Sequence, residues 1–334
     1  MQPFTLSLII VARNEAKNIA RCIESALAAA REISDSEIIL VDSLSQDETV
    51  AIAQRYPIKI YQLLPGQRIS SWAARYLGMS QSRGELIQFL DGDMILQKDW
   101  IARAAPYVLQ DDNVVAVLGR LDEIYVSREG VEQRAHDVLR IAERVQENPR
   151  WVGGALLCRR ERLQRIGAFN PFLYGEGEAE MCFRAELHRL KILALPLNMV
   201  EHYSAPRDAW AELRRKYRNK MYLGFGQALR YHYKKPQVYK LLLRRRNHLL
   251  ALVFLISAFL AAVAAFVISA SWPLVLWFVF LFGYFAGLLL RYKGLKQAFF
   301  NLAIKMLFLA GAIRGFFYTP QPAQTFPKLV GVIK

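Results

Sequence analysis

Two carboxylates separated by one glycine, Asp91-Gly92-Asp93, end the apolar run Leu86 to Leu90. If that run is a strand, both carboxylates lie just past its C-terminal edge, where open parallel α/β sheets place their ligands. Two hard oxygen ligands suit a divalent cation, Mn²⁺ or Mg²⁺, and such a cation in turn binds a phosphate. The alternative interpretation is an ordinary capped loop in which Asp93 is solvated.

Polar residues also follow two earlier apolar runs. Asp42 ends the run Glu37 to Val41, and the turn Arg13-Asn14-Glu15 comes soon after the run Leu6 to Val11. Carboxylates at neighbouring strand ends have a common purpose if a nucleotide lies across them. The spacing therefore predicts a nucleotide site beside the Asp-Gly-Asp turn.

Strand-like and helix-like patterns alternate along this part of the chain, which predicts a doubly wound α/β sheet. The predicted strands cover residues 6–11, 37–41, 58–63, 86–90, 114–118, 151–157, 192–195 and 199–200, with His202 just beyond the last. The predicted helices cover residues 18–27, 49–56, 70–79, 99–110, 132–147 and 178–190.

Charge is distributed unevenly along the 334 residues. Residues 1–200 hold 24 Lys and Arg against 26 Asp and Glu, whereas residues 201–334 hold 20 against 3. A basic excess is typical of proteins that bind nucleic acid or an anionic membrane surface. Two uncharged stretches decide between them, 22 residues from Leu249 to Ala270 and 19 from Trp272 to Leu290. Since a bilayer requires about 20 apolar residues, the membrane is the better interpretation.

Basic residues flank the predicted membrane hairpin. Arg244-Arg245-Arg246 precede it and Arg291 follows it, so the positive-inside rule predicts that both ends are cytoplasmic. Residues 298–318 are apolar but are interrupted by Lys305 and Arg314, which predicts an interfacial or re-entrant helix, or a third span. The 3 cysteines form no CxxC pair, which argues against a disulfide framework and a structural zinc site, and fits a reducing compartment.

The N-terminal two thirds of the chain resembles the inverting family-2 glycosyltransferases, which have the GT-A fold. The motifs that carry the resemblance occur in the family's order over about 200 residues: 11–15, 41–49, 84–93, 153–155, 159–160, 166–170 and 174–184. The resemblance implies nucleotide-binding roles for Ala12, Arg13, Asn14, Glu15, Asp42, Asp91 and Gly92. It implies Mn²⁺ or Mg²⁺ ligands among Asp93, Asp91 and His202, and a sugar or acceptor pocket at Trp151, Gly153 and Gly154.

An inverting transfer needs a carboxylate that takes the proton of the attacking hydroxyl. The acidic stretch at 174–180 is where the resemblance implies it, and Glu178 occupies the base position. Gly177 replaces the acid that usually precedes the base, and Glu176 is displaced by one residue. The choice among Glu176, Glu178 and Glu180 therefore stays open, and a helix N-terminal acid that favours the macrodipole is the other interpretation, above all for Glu180.

Together these features predict a membrane-anchored, metal-dependent inverting glycosyltransferase that uses a nucleotide sugar and a lipid-linked glycan or lipid acceptor. The predicted location is the inner (plasma) membrane with two or three spans, a cytoplasmic catalytic domain at an anionic leaflet, and no nucleic-acid partner. The predicted regions are a GT-A domain (1–205), a basic interfacial linker (206–247), a membrane segment (248–318) with spans at 249–270 and 272–290, and a C-terminal tail (319–334).

Other functions remain open from the sequence. A polyprenyl-phosphate hexose synthase shares the fold and donor chemistry but uses a lipid phosphate as nucleophile, which needs no base. A non-catalytic membrane scaffold is argued against by the intact Asp42, Asp91 and Asp93. A processive polysaccharide synthase is disfavoured because no Gln-x-x-Arg-Trp motif precedes the apolar stretches, and a nucleotidyltransferase because no glycine-rich loop follows the first strand.

Overall fold

The computed structural model describes residues 4–127, 131–149, 152–204, 208–292 and 294–334. The chain divides into two compact units. The first comprises Met1–Leu173, Gly177–Arg207 and Gln321–Lys334, and the second comprises Tyr174–Glu176 and Asp208–Pro320.

The first unit is built on one mixed sheet flanked by helices. Its strands are β1 Leu6–Ala12, β2 Ser36–Asp42, β3 Lys59–Gln62, β4 Leu86–Asp91, β5 Met94–Leu96, β6 Val114–Val126, β7 Glu132–Ala135, β8 Gln146–Glu147, β9 Leu156–Arg159, β10 Lys191–Ser204 and β11 Gly331–Val332. Its helices are α1 Ile19–Ala30, α2 Thr49–Ala53, α3 Ser71–Gln81, α4 Trp100–Leu109, α5 Arg160–Arg165 and α6 Gly177–Leu187.

The strand order along the sheet is β11-β3-β2-β1-β4-β9-β6-β10-β5. The pairs among β1, β2, β3 and β4 are parallel, whereas β9 lies antiparallel between β4 and β6. All seven residues of β1 are buried, as expected for a central strand covered by helices on both faces. The predicted doubly wound, mixed α/β sheet is thus confirmed.

The predicted helix at 132–147 is wrong. Its first residues form β7, which pairs with the distal half of β6, and its last two form β8, which pairs with β10. The free edges of two long strands offer backbone partners that outweigh the helical spacing of the side chains. The strands β6 and β10 are also longer than predicted, so His202 lies within β10 and not beyond it.

The segment that follows the last long helix returns to the sheet of the first unit. Strand β11 pairs antiparallel with β3 and so becomes the edge strand. Phe326 is 3% exposed and packs edge-on against the rings of Tyr76 and Phe172. Gln67 donates through Nε2 to the carbonyl oxygen of Leu329 at 2.9 Å. Residues 321–334 therefore add a strand to the sheet and a buried ring to the core of the first unit.

We expect Phe326→Ala to destabilise the first unit by about 3–5 kcal/mol, because the substitution removes a buried aromatic ring and leaves a cavity. Thermal unfolding of the full chain in detergent measures the effect. Leu329→Ala in the same tail is the matched control, since Leu329 is 72% exposed and its truncation should change stability by less than about 0.5 kcal/mol. Equal melting temperatures for the two variants would contradict the packing role of Phe326.

The second unit is helical. Its helices are α7 Ala209–Arg218, α8 Gly224–His232, α9 Val238–Arg244, α10 Arg246–Val267, α11 Trp272–Tyr292 and α12 Leu295–Phe316. In the described part of the chain, two segments are long and apolar enough to cross a membrane: Trp272–Arg291, with a mean hydropathy of 2.2, and Leu295–Phe316, with 1.5. Only 11% and 28% of these stretches are buried, which is unlike the core helix of a soluble protein.

The helices of the second unit can be compared with the three apolar segments that the sequence predicted. Trp272–Arg291 coincides with the predicted span 272–290. Leu295–Phe316 covers most of residues 298–318, and it reaches the length of a span although Lys305 and Arg314 interrupt it. The predicted span 249–270 falls largely on α10, and its apolar part Leu252–Val267 is shorter than the two membrane-compatible segments of the described residues.

Candidate active site

Three strand ends meet at the C-terminal edge of the parallel part of the sheet. Ala12, the last residue of β1, lies opposite Asp42, the last residue of β2. On the other side of β1, Val11 lies opposite Asp91. The amide of Gly92 donates to the carbonyl oxygen of Val11 at 2.9 Å, which turns the chain sharply after β4. The carboxylates that the sequence placed at separate strand ends therefore border one edge.

The loops after β1 and β2 are tied together by side-chain to backbone hydrogen bonds. Asn14 has a φ of +57°, its amide donates to Ser45 Oγ at 2.8 Å, and its Oδ1 accepts from the amide of Gln46 at 2.8 Å. Asp42 is fully buried and accepts from the amide and hydroxyl of Ser45 and from Gln62 Nε2 at 2.8 Å. These contacts join the two loops beside the Asp91–Asp93 turn.

A buried arginine that the sequence analysis missed holds Asp91. Arg75 on α3 is 2% exposed, and its Nη2 donates both to Asp91 Oδ1 and, at 3.1 Å, to the carbonyl oxygen of Gly154. Its guanidinium lies 5.1 Å from the ring centroid of Trp72. A Cβ at position 154 would clash with the Asp91 carboxylate, so a glycine is required there. Burial raises the pKa of Asp91, and the adjacent Arg75 opposes that shift.

We expect Arg75→Met to destabilise the protein by about 2–3 kcal/mol, because it leaves the partly buried carboxylate of Asp91 without its cation. Adding Asp91→Asn removes that uncompensated charge and should restore part of the loss. Thermal unfolding of the single and double variants measures the coupling between the two residues. Additive effects of the two substitutions would contradict a direct electrostatic partnership.

The second carboxylate of the turn, Asp93, is paired with a histidine. Its Oδ2 lies 3.0 Å from His202 Nε2, and His202 Nδ1 lies 2.8 Å from Glu123 Oε2. The hydroxyl of Ser204 donates to the other oxygen of Glu123 at 2.5 Å. Burial lowers the pKa of His202, but hydrogen bonds and negative charge from Asp93 and Glu123 outweigh it and raise the pKa to about 10. Without a metal, His202 is therefore an imidazolium between two carboxylates.

The other oxygen of Asp93 distinguishes this site from an ordinary ion pair. Asp93 Oδ1 is buried and accepts no hydrogen bond from any described residue. Burial and, next, the negative charge of Asp93 raise the pKa of nearby Glu15 to about 7. A buried carboxylate oxygen without a partner, in a cluster rich in negative charge, fits a cation ligand.

The described residues do not form a complete metal-binding site. No group of three or more His, Cys, Asp and Glu side chains among them is arranged to hold a metal ion. Of the three predicted ligands, Asp91 is held by Arg75, and His202 is held by Asp93 and Glu123. Asp93 Oδ1 is thus a buried ligand oxygen that accepts no hydrogen bond from the described residues.

Two of the three candidate bases are engaged by arginines. Glu180 is 1% exposed and is held by Arg184 Nε and Nη2 at 2.8 and 2.9 Å. Arg184 also donates to the carbonyl oxygens of Ile166 and Ala168, so this pair anchors α6 to the chain before it. In the second unit, Glu176 Oε2 accepts from Arg245 Nε and Nη2 at 2.7 and 2.6 Å.

The third candidate, Glu178, is half-buried in the first turn of α6. Gly177 before it packs so closely on the ring of Trp72 that a Cβ there would lie 2.6 Å from the indole. Among the predicted pocket residues, Gly153 faces Leu121 and Leu139, and a Cβ at this position would lie 3.5 Å from Leu121 Cδ1. Trp151 lies outside the described residues.

Residues 7–169 match the sequence profile of Glycosyl transferase family 2. The chain carries a family 2 glycosyltransferase domain. Its fold is GT-A, as in the solved mannosyltransferase PcManGT from Pyrobaculum calidifontis in complex with GDP-Man and Mn²⁺. The two structures align with a TM-score of 0.60 and 19% identity over 95% of this chain and 88% of that one.

Among curated proteins, glycosyltransferase AglE of Haloferax volcanii is 28% identical over 188 residues, which are 55% of this chain and 61% of AglE. A putative polypeptide N-acetylgalactosaminyltransferase 13 of Drosophila melanogaster is 24% identical over 237 residues, 61% of this chain and 42% of that protein. The chain thus spans less than two thirds of the length of these relatives.

The match to family 2 includes Asp42, Asp91 and Asp93 but ends before the acidic stretch and His202. The proposed roles of Glu178 and His202 therefore rest on geometry and on the order of motifs. Two residues with clear positions were not predicted, Arg75 and Glu123. The one sequence feature that could have indicated a role for Arg75 is its place as a lone arginine within the apolar face of α3. No local pattern relates Glu123 to a histidine 79 positions away.

Proposed function

We propose that this protein is a metal-dependent inverting glycosyltransferase, which moves a sugar from a nucleotide sugar to a hydroxyl of a lipid-linked acceptor. The observation that carries the proposal is the turn after β4. There Asp93 has a buried oxygen that accepts no hydrogen bond from the described part of the chain, at the edge that Asp42 and Asp91 share. That edge is where ligands bind in α/β sheets.

Each donor-side residue has a distinct task. The two joined loops, residues 13–15 and 42–47, bind the nucleoside. The hydrogen bonds that join them are in place before the sugar donor binds. Asp93, with Asp91 and His202, would hold Mn²⁺ or Mg²⁺. Such a cation would neutralise the negative charge that develops on the departing diphosphate. Arg75 keeps Asp91 in place, and Glu123 orients the imidazole of His202.

On the acceptor side, Glu178 is the proposed general base. Glu178 occupies the base position in the order of motifs and lies in the first turn of α6, whereas the Glu180 carboxylate is buried against Arg184. In the reaction, the acceptor hydroxyl attacks the anomeric carbon from the face opposite the diphosphate while its proton passes to Glu178. The bond to the diphosphate breaks as the new glycosidic bond forms, which inverts the anomeric configuration.

The proposed acceptor is lipid-linked because the catalytic unit shares its chain with membrane-compatible helices. Residues 201–334 carry 20 basic against 3 acidic residues around those helices, a composition suited to the anionic cytoplasmic leaflet of the inner (plasma) membrane. Nucleotide sugars are made in the cytoplasm, so a cytoplasmic catalytic domain has both substrates within reach.

The test uses the full chain purified in detergent with a radiolabelled sugar nucleotide. We expect label to enter an organic-extractable product when membrane lipid extract is added, and not when water-soluble oligosaccharides replace it. Transfer to soluble acceptors with no response to lipid extract would contradict the lipid-linked acceptor and leave the glycosyltransferase proposal standing.

A further inference from the structure

One face of α7 combines aromatic, aliphatic and basic side chains. Positions 210, 213, 214, 217 and 218 follow the spacing that places residues on a single helix face. This face lines a cavity of about 550 Å³ whose other wall includes Leu307 of α12. The face, called the α7 groove below, consists of Trp210, Leu213, Arg214, Tyr217 and Arg218.

The basic residues on the two faces of α7 differ in whether an acidic residue lies beside them. Away from the groove, Glu212 neutralises Arg215 at 2.7 Å and lies 3.6 Å from Lys216. In the groove, Arg214 and Arg218 are exposed and form no ion pair with any residue in the described ranges. They lie one helical turn apart on the same side, so their guanidinium groups can converge on one anion.

The apolar part of the groove is exposed as well. Trp210 is 46% exposed and Tyr217 is 57% exposed, whereas Leu213 between them is buried. The Trp210 ring lies 4.9 Å from the ring of Phe300, which belongs to α12, one of the two segments apolar enough to cross a membrane. Exposed amphipathic rings beside such a helix are typical of the lipid–water interface.

We propose that the α7 groove binds the phosphate headgroup of an anionic membrane phospholipid, with phosphatidylglycerol as the representative. Two arginines without acid partners match a phosphodiester, because guanidinium groups recognise phosphate with paired, charge-assisted hydrogen bonds. The aromatic and leucine side chains provide the surface for the glycerol backbone and the first acyl methylenes. A soluble phosphate would leave that apolar surface exposed to water, so the lipid is the better occupant.

The probe is phosphatidylglycerol, offered in mixed micelles to the full chain in a neutral detergent. Native mass spectrometry counts the lipids retained per protein as the phosphatidylglycerol fraction rises against phosphatidylcholine. We expect Arg214→Ala/Arg218→Ala to weaken retention of phosphatidylglycerol at least about 10-fold. The matched control is Arg215→Ala/Lys216→Ala, which removes the same charge from the same helix outside the groove and should stay within about 2-fold of the unmodified chain.

Three outcomes would overturn the proposal. Equal weakening by the two double variants would mean that the interaction is general electrostatic attraction, and no weakening by either would mean that the groove binds no anionic lipid. Displacement of phosphatidylglycerol by a polyprenyl phosphate at far lower concentration would assign the groove to an acceptor lipid instead. Circular dichroism and the Gln versions of the groove substitutions exclude misfolding as the cause. Because no sugar transfer is measured, the result is independent of the proposed function.

Discussion

Asp93→Asn is expected to lower the Mn²⁺-dependent release of nucleoside diphosphate from the sugar donor by about 10³-fold. The substitution keeps the size of the side chain but removes its charge, and an amide is a poor ligand compared with a carboxylate. It also removes one of the two carboxylates that hold the imidazolium of His202, whose pKa should fall below its value of about 10.

Two measurements separate a loss of metal from a loss of fold. Mn²⁺ binding followed by electron paramagnetic resonance should weaken in Asp93→Asn, while the far-UV circular dichroism spectrum without metal stays that of the unmodified protein. Asp99→Asn is the matched control, because Asp99 is exposed and its carboxylate, within the described ranges, pairs with Arg103 one helical turn away. Full activity in Asp93→Asn would remove Asp93 from the metal site.

Glu178→Gln is expected to reduce sugar transfer to a hydroxyl acceptor by about 10²–10⁴-fold, the usual contribution of a general base. Affinity for the nucleotide sugar should be unchanged, because the proposed donor contacts come from the other strand ends. Glutamine preserves the shape of the first turn of α6 and removes only the ability to take the proton. Initial rates at saturating donor and acceptor, together with donor binding by calorimetry, measure the two effects separately.

The control for Glu178 is Glu161→Gln, which neutralises an exposed acid on α5 and should leave transfer within about 2-fold. Glu180→Gln is a contrasting variant, since it breaks the buried pair with Arg184 and should lower the melting temperature. Unimpaired transfer by Glu178→Gln would exclude it as the base. That result would favour the polyprenyl-phosphate hexose synthase, whose lipid phosphate nucleophile carries no proton that must be removed.

The sequence predicted those features that depend on local pattern. Buried strands such as β1 and β4 are continuous apolar runs, and their ends are marked by polar turns. Because parallel strands end at the same edge of a sheet, Asp42 and Asp91 could be placed together without a structure. The length of the uncharged run likewise located the membrane-compatible segment that begins at Trp272.

What could not be predicted depends on contacts between distant segments. Arg75 meets Asp91 because α3 packs against β1 and β2, next to the strand end that carries Asp91, and Glu123 meets His202 because β6 and β10 run in parallel register. Strand β11 forms only because β3 offers a free edge to a chain that returns after α12. The turn Asp91-Gly92-Asp93 likewise does not form a site by itself, since the residues that contact its carboxylates come from other strands and from a helix.

The most direct test of the central claim is a panel of sugar nucleotides incubated with the full chain, with and without Mn²⁺ or Mg²⁺, and assayed for released nucleoside diphosphate. The proposed function predicts that at least one donor is turned over, that the turnover requires the cation, and that Asp93→Asn abolishes it while Asp99→Asn does not. Absence of metal-stimulated release from every donor in the panel would contradict the assignment as an enzyme and favour a non-catalytic membrane scaffold.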